Sequence, residues 1–218
     1  MTALLFDLDG TLLNTLEDLK DATNYALRHF GYPEKKLEEI RKAVGNGAAN
    51  QIRKSLPEET SEETVQKILA FYKDYYASHC QIKTAPYEGI PAAVELLRKR
   101  YPVAIVSNKP DPAVKTLCAQ YFGDIFALGE SEACPRKPAP DMVYKAMRAV
   151  GAHNCIYIGD SEVDILTAKN AGVPCLSVLW GFRDRKQLKA EGGSRFCTRP
   201  EDLPDAIAQI MGEISNGK

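Results

Sequence analysis

Short, unbroken apolar runs recur along the chain. Ala3-Leu4-Leu5-Phe6 ends at Asp7, Pro102-Val103-Ala104-Ile105-Val106 ends at Ser107, and Ile125-Phe126-Ala127-Leu128 ends at Gly129. Cys155-Ile156-Tyr157-Ile158 ends at Gly159-Asp160, and Pro174-Cys175-Leu176-Ser177-Val178 ends near Leu179. Runs of this length without alternation predict strands buried on both faces. Between them, helical patterns occupy residues 90–100, 112–121, 141–150, 162–171 and 203–214, with Gly172 as a C-terminal stop. Strand and helix in turn predict an α/β fold, a parallel sheet with helices on both faces.

Residues 15–84 break this rhythm. They contain no strand pattern, and helical patterns cover residues 16–30, 37–44, 48–56 and 62–79, punctuated by Gly31-Tyr32-Pro33 and Gly45-Asn46-Gly47. The expected organisation is a core of residues 1–14 and 85–218 with an all-helical domain, 15–84, inserted after the first strand. Its hinges fall near Asn14 and near Ala85-Pro86-Tyr87. There are no repeats, and a frayed tail is expected around Asn216-Gly217-Lys218.

Charge narrows the partners. The 28 Lys and Arg nearly balance 29 Asp and Glu, for a net charge of −1. No basic excess points to nucleic acid, and no polybasic block points to an anionic membrane. A small molecule fits this balance better than a polyanion. The N-terminal apolar run is too short for a signal peptide, and no segment approaches the ~20 apolar residues of a membrane span. A cytoplasmic protein is expected. The six cysteines form no Cys-x-x-Cys pair and read as reduced, buried thiols without chemistry. Oligomeric state leaves no signal.

Four segments carry candidate chemistry. Asp7-Leu8-Asp9-Gly10-Thr11 follows a buried strand directly, and open parallel sheets bind ligands at the carboxyl ends of their strands. Two carboxylates one residue apart would repel each other in a partly dry site; the bland alternative is an Asp-Gly turn in solvent. Ser107-Asn108-Lys109 ends the next strand, where a hydroxyl and an amide can donate to an anion or simply form a turn. In Arg136-Lys137-Pro138-Ala139-Pro140-Asp141, the Pro-x-Pro backbone stiffens a helix start and fixes the reach of Lys137, if that lysine does not just face solvent. In Gly159-Asp160-Ser161-Glu162-Val163-Asp164, a helix starting near Ser161 puts Asp160 and Asp164 toward one end, where acids also complement a helix dipole.

The four segments, in this order at the ends of successive strands or before helices, resemble the motifs of the haloacid dehalogenase superfamily over nearly the whole chain. The resemblance implies a Rossmann-like core of strand order 5-4-1-2-3 and a helical C1-type cap at residues 15–84. It implies a Mg²⁺-dependent hydrolase of phosphoric monoesters, with Asp7 as nucleophile and Asp9 as general acid and base. Ser107, Asn108 and Lys137 bind the phosphoryl oxygens. Asp7, the Asp9 main-chain carbonyl and Asp160 hold the metal, with Asp164 and Thr11 supporting them from behind. An aspartate at position 9 argues for phosphate chemistry over dehalogenation, and Thr11 leans toward hydrolysis over phosphosugar mutation.

The Val44-Gly45-Asn46-Gly47-Ala48 loop and Val178-Leu179-Trp180-Gly181-Phe182 are similar to those of phosphoglycolate phosphatases. Gly45, Asn46, Gly47 and Arg53 are the candidates for substrate selection, against the alternatives of a plain helix connector and a solvated arginine. The expected substrate is a small phosphorylated metabolite such as phosphoglycolate. Pyrophosphate, sugar phosphates and nucleoside monophosphates are the rivals within this chemistry. A phospho-acceptor signalling domain and a catalytically idle binding module are the rivals outside it.

Overall fold

The computed structural model describes residues 1–132 and 134–216. The chain runs through β1 (Thr2–Phe6), β2 (Leu13–Asn14), α1 (Leu16–His29), α2 (Leu37–Ala43), α3 (Gly47–Lys54) and α4 (Glu62–His79). It continues through β3 (Ala85–Pro86), α5 (Ile90–Arg98), β4 (Val103–Pro110), α6 (Asp111–Phe122), β5 (Phe126–Glu130) and α7 (Asp141–Ala149). It closes with β6 (Asn154–Gly159), α8 (Glu162–Ala171), β7 (Cys175–Val178), α9 (Arg185–Ala190), β8 (Phe196–Cys197) and α10 (Leu203–Asn216). The tail expected over residues 216–218 falls largely outside the described residues, since α10 continues to Asn216.

Six strands form one parallel sheet in the order β5-β4-β1-β6-β7-β8. Counted by the five strands marked in the sequence, this is 5-4-1-2-3, widened by the two-residue edge strand β8. Side chains of each inner strand alternate between two cores. Leu4, Phe6, Ile105, Ile156 and Ile158 face one, which also takes Val94 and Leu97 of α5, Val114 and Leu117 of α6, and Ile207 of α10. Ala3, Leu5, Ala104, Val106, Cys155 and Tyr157 face the other, against Met142, Val143 and Ala146 of α7 and Ala168 of α8. That double burial explains why these runs are apolar throughout instead of alternating. Each large apolar side chain so buried contributes roughly 1.5–3 kcal/mol.

The insertion starts and ends at a paired ribbon. Leu13 and Asn14 of β2 lie antiparallel to Pro86 and Ala85 of β3. One buried side chain fastens the base: the Asp18 carboxylate accepts from Lys83 N–H (2.9 and 3.0 Å), Thr84 N–H (2.9 Å) and Thr84 Oγ1–H (2.8 Å). Helix α4 packs against α1 and α3 through Tyr72, Tyr76, Ile68 and Val65, all buried. Ser61 caps α4 by accepting from Thr64 N–H (3.3 Å). No helix among the described residues is long and apolar enough to cross a membrane. All six cysteines are free thiols; Cys134 and Cys175 are half-buried and the other four are buried.

Candidate active site

Asp7 stands one residue beyond β1. Its N–H donates to Ile158 O (2.8 Å), so the ladder with β6 reaches past the strand and fixes the residue. The chain then folds back over a buried Leu8, whose carbonyl accepts from Thr11 (3.3 Å), Leu12 (3.0 Å) and Leu13 (3.0 Å). Gly10 makes the turn at φ 80°, and a Cβ on it would overlap the Asp160 carboxylate. Gly10→Ala is therefore expected to cost roughly 2 kcal/mol, from a strained φ together with overpacking. Urea unfolding measures this; an unchanged midpoint would contradict the close approach.

Asp160 directly follows β6 and Asp164 sits in the first turn of α8. Asp160 Oδ1 accepts from Thr11 Oγ1–H (3.3 Å) and Oδ2 from Phe182 N–H (2.7 Å). Asp164 closes a capping box with Ser161: its Oδ2 accepts from Ser161 Oγ–H (2.6 Å), Ser161 N–H (3.0 Å) and Asp160 N–H (3.2 Å). Its Oδ1 takes the Lys137 ammonium at 2.8 Å. Both Asp164 oxygens are thus engaged, one by the helix start and one by Lys137.

Lys137 is 1% exposed, and its Nζ also lies 2.9 Å from Asp7 Oδ1 and 3.0 Å from the Tyr157 hydroxyl. Asn108 holds the lysine backbone: its Oδ1 accepts from Lys137 N–H (2.8 Å), and its Nδ2–H reaches Lys137 O (2.9 Å) and Gly45 O (3.3 Å). The side chain expected to bind a phosphoryl oxygen is therefore a bridge between three segments. The strand expected to end at Ser107 runs on to Pro110; Ser107, buried within β4, accepts from Lys109 N–H through Oγ (3.2 Å). Lys109 in turn pairs with Asp9, Nζ to Oδ1 2.7 Å.

This cluster is short of positive charge. One oxygen each of Asp7, Asp160 and Asp164 lie within 4.8 Å of one another, and all three residues are buried. Burial first, then the Asp164 charge, pushes the Asp7 carboxyl up to about 7, although Lys137 works in the opposite direction. Burial, then Asp164 and Asp7, also holds the Asp160 carboxyl well above the usual carboxylate range. Burial alone would pull the Lys137 ammonium down; the Asp164 and Asp7 charges outweigh it, and the net direction is up. Asp7 Oδ2 accepts no hydrogen bond from the described residues, and no backbone hydrogen bond among them ends on the Asp9 carbonyl. Hard oxygen donors with open lone pairs beside excess negative charge fit a small divalent cation such as Mg²⁺.

A cavity opens over Asp7, Asp9, Ser107, Asn108 and Lys109. Its roof comes from the insertion: Gly45, Gly47 and Ala48 at the start of α3, Gln51 further along, and Tyr72 and Tyr76 of α4. Arg183, after β7, fixes that roof by donating to Arg41 O and Val44 O (both 2.9 Å) while paired with Glu162 (2.8 Å).

Two expected selection residues are not brought to the cavity. Asn46 lies between two lining glycines but does not line it. Arg53 turns back on its own loop, donating to Thr60 O (2.7 Å), Pro57 O and Glu58 O, because the carbonyls after α3 lie within its reach. Conversely, Lys109, Gln51, Tyr72, Tyr76 and Arg183 went unassigned in the sequence. Lys109 alone had a signal, its place two residues after Ser107.

A parallel α/β sheet with carboxylates at neighbouring strand ends and a helical roof between β1 and β4 defines a class of hydrolases. The family model described as haloacid dehalogenase-like hydrolase matches residues 4–178, and the chain belongs to that family. It is 36% identical over 188 residues to a phosphoglycolate phosphatase of Rhodobacter capsulatus, covering 83% of this chain and 85% of that one. It is 30% identical over 226 residues to one from Vibrio parahaemolyticus, covering 97% and 95%. A crystal structure of a candidate phosphoglycolate phosphatase from Lactobacillus delbrueckii subsp. bulgaricus superposes with a TM-score of 0.89 at 36% identity, covering 94% of this chain and 98% of that one.

Proposed function

We propose that this chain is a Mg²⁺-dependent phosphatase of small phosphomonoesters, with residues 15–84 as a cap over the core of 1–14 and 85–218. The observation that carries the reading is the Asp7 carboxylate, held beside Lys137 and facing the same cavity as Asp9. A carboxylate oxygen of Asp7 attacks phosphorus, and the bond to the leaving oxygen breaks with its electron pair going to that oxygen. Asp9 delivers a proton there and the alcohol departs. Asp9 then takes a proton from a water whose oxygen attacks the phosphorus of the aspartyl phosphate, restoring the Asp7 carboxylate and releasing inorganic phosphate. Acid–base help of this kind contributes roughly 10²–10⁴ in rate.

Ser107 Oγ–H and the Lys137 ammonium bind the transferring oxygens, and Asn108 acts by positioning Lys137. Asp7, the Asp9 carbonyl and Asp160 would hold the cation, which would supply positive charge to offset that of the phosphate. Asp164 keeps Lys137 in place.

The preferred substrate is phosphoglycolate or a similarly small anionic ester. The names of the sequence relatives support this. Among the described residues lining the cavity, Lys109 is the one cationic side chain. A single cation matches one carboxylate better than the more highly charged second phosphoryl group of pyrophosphate.

Phosphate release from a panel of metabolites tests the reading. Turnover is expected with Mg²⁺ and lost in EDTA, with phosphoglycolate at least about tenfold ahead of pyrophosphate and nucleoside monophosphates in kcat/KM. Undiminished turnover in EDTA would remove the cation, and faster pyrophosphate cleavage would remove the substrate.

A further inference from the structure

The roof of the cavity contains a polar group without a partner. Tyr76 is 1% exposed, yet its hydroxyl is buried and bonds to no described residue. Two other buried or half-buried phenols are satisfied: Tyr157 donates to Val106 O (3.2 Å) and Tyr121 to Thr84 O (2.7 Å). A phenylalanine at position 76 would fill the same space, keep the parallel stack on Tyr72 (centroids 5.4 Å apart, planes at 9°) and avoid a buried unpaired hydroxyl. Packing therefore does not account for the oxygen. The ring lines the same cavity as Asp7 and Asp9.

Its neighbour reinforces the point. Lys109 Nζ lies 4.8 Å from the Tyr76 ring centroid and makes one hydrogen bond, to Asp9. The ammonium has three N–H donors, so others remain for a ligand. Burial, with the Asp9 charge adding to it, raises the Tyr76 phenol well above its ordinary range, so it stays a neutral donor at working pH. This side of the cavity thus presents a neutral donor and a charged donor toward a leaving group.

Resting on the phosphatase reading above, we propose that the Tyr76 hydroxyl determines specificity by donating a hydrogen bond to a carboxylate on the leaving group, with Lys109 as the charged half of the same subsite. The class of substrate so selected is a phosphomonoester of a short hydroxy acid. A site built to hydrogen-bond a ligand oxygen discriminates strongly against the analogue that lacks it, because its own polar groups are then left unpaired.

Phosphoglycolate and ethyl phosphate have leaving groups of equal chain length, one with a carboxylate and one with a methyl group. Tyr76→Phe is expected to lower the ratio of their kcat/KM values tenfold or more, the loss falling mainly on phosphoglycolate. Phosphoglycolate binding to an Asp7→Asn background, measured by calorimetry with Mg²⁺, is expected to weaken by a similar factor on adding Tyr76→Phe. The thermal midpoint of Tyr76→Phe is expected at or above that of the wild type. An equal proportional loss on both esters, an unchanged ratio, or a midpoint several degrees lower overturns the proposal, the last because it reveals a protein partner for the hydroxyl. A wild type that hydrolyses neither ester with Mg²⁺ overturns the phosphatase reading and this proposal with it. A wild type that hydrolyses both, with a ratio insensitive to Tyr76→Phe, overturns this proposal alone.

Discussion

Asp7→Asn is expected to lower kcat by a factor of about 10⁴ or more while leaving the fold intact, because the amide cannot form the acyl phosphate. The same substitution should change how the metal-free protein responds to pH. The Asp7 carboxyl moves from 3.8 up to about 7 on folding, through burial first and the Asp164 charge second. Between those values the folded state keeps a proton that the unfolded state has lost. The stability Asp7 contributes by holding that proton is thus complete below about pH 4 and is lost as pH rises toward 7. Asparagine never ionises. In EDTA, the stability difference between Asp7→Asn and wild type should grow in favour of the variant over that window, by roughly 4 kcal/mol at most. Mg²⁺ should narrow the gap by stabilising the ionised wild type. Urea titrations at several pH values measure the difference. A flat difference across pH 4–7, or near-normal turnover by the variant, would remove Asp7 from the centre of the site.

The second large effect is on folding. Lys137→Met retains a linear side chain but removes the one cation among the described residues that pairs with both Asp7 and Asp164. Breaking a buried charge cluster by deleting one partner leaves the others uncompensated and costs about 3–5 kcal/mol. That is a large share of the 5–15 kcal/mol by which most domains are stable. Equilibrium unfolding in EDTA at pH 8, where the carboxylates cannot easily escape by protonation, should reveal the full loss. A loss under about 1 kcal/mol would mean that the acids are neutralised by something other than this lysine.

What the sequence revealed and what it hid follow from the range of the interactions. The five long strands were visible because burial on both faces writes a local apolar run. Strand β8 and the β2–β3 ribbon have two residues each, too few to show any period. Helix α9 has six residues and buries only Leu188, so it shows no apolar stripe. The floor of the site was legible because Asp7 and Asp160 directly follow strands, Ser107 lies on β4 and Lys137 shortly precedes α7, each within a short local motif. Its connections were not. Lys109 meets Asp9 across 100 residues, and Arg183 meets Val44 across 139. Nothing local announces that the Asn108 amide bonds to the Lys137 backbone, 29 residues away. For Arg53, charge beside a glycine loop suggested a ligand, while the nearest acceptors were the carbonyls of its own loop.

The β2–β3 ribbon bears on how such a protein diversifies. The chain leaves the sheet and returns to it at adjoining points, with Asn14 paired to Ala85. Between these two residues the polypeptide can lengthen, shorten or be exchanged for a foreign segment without shifting the register of a single strand below. On the reading proposed above, with residues 15–84 as the cap, a lineage can inherit its reaction while rewriting what it admits, and a chimaera joined at this seam should keep the chemistry of one parent and the selectivity of the other.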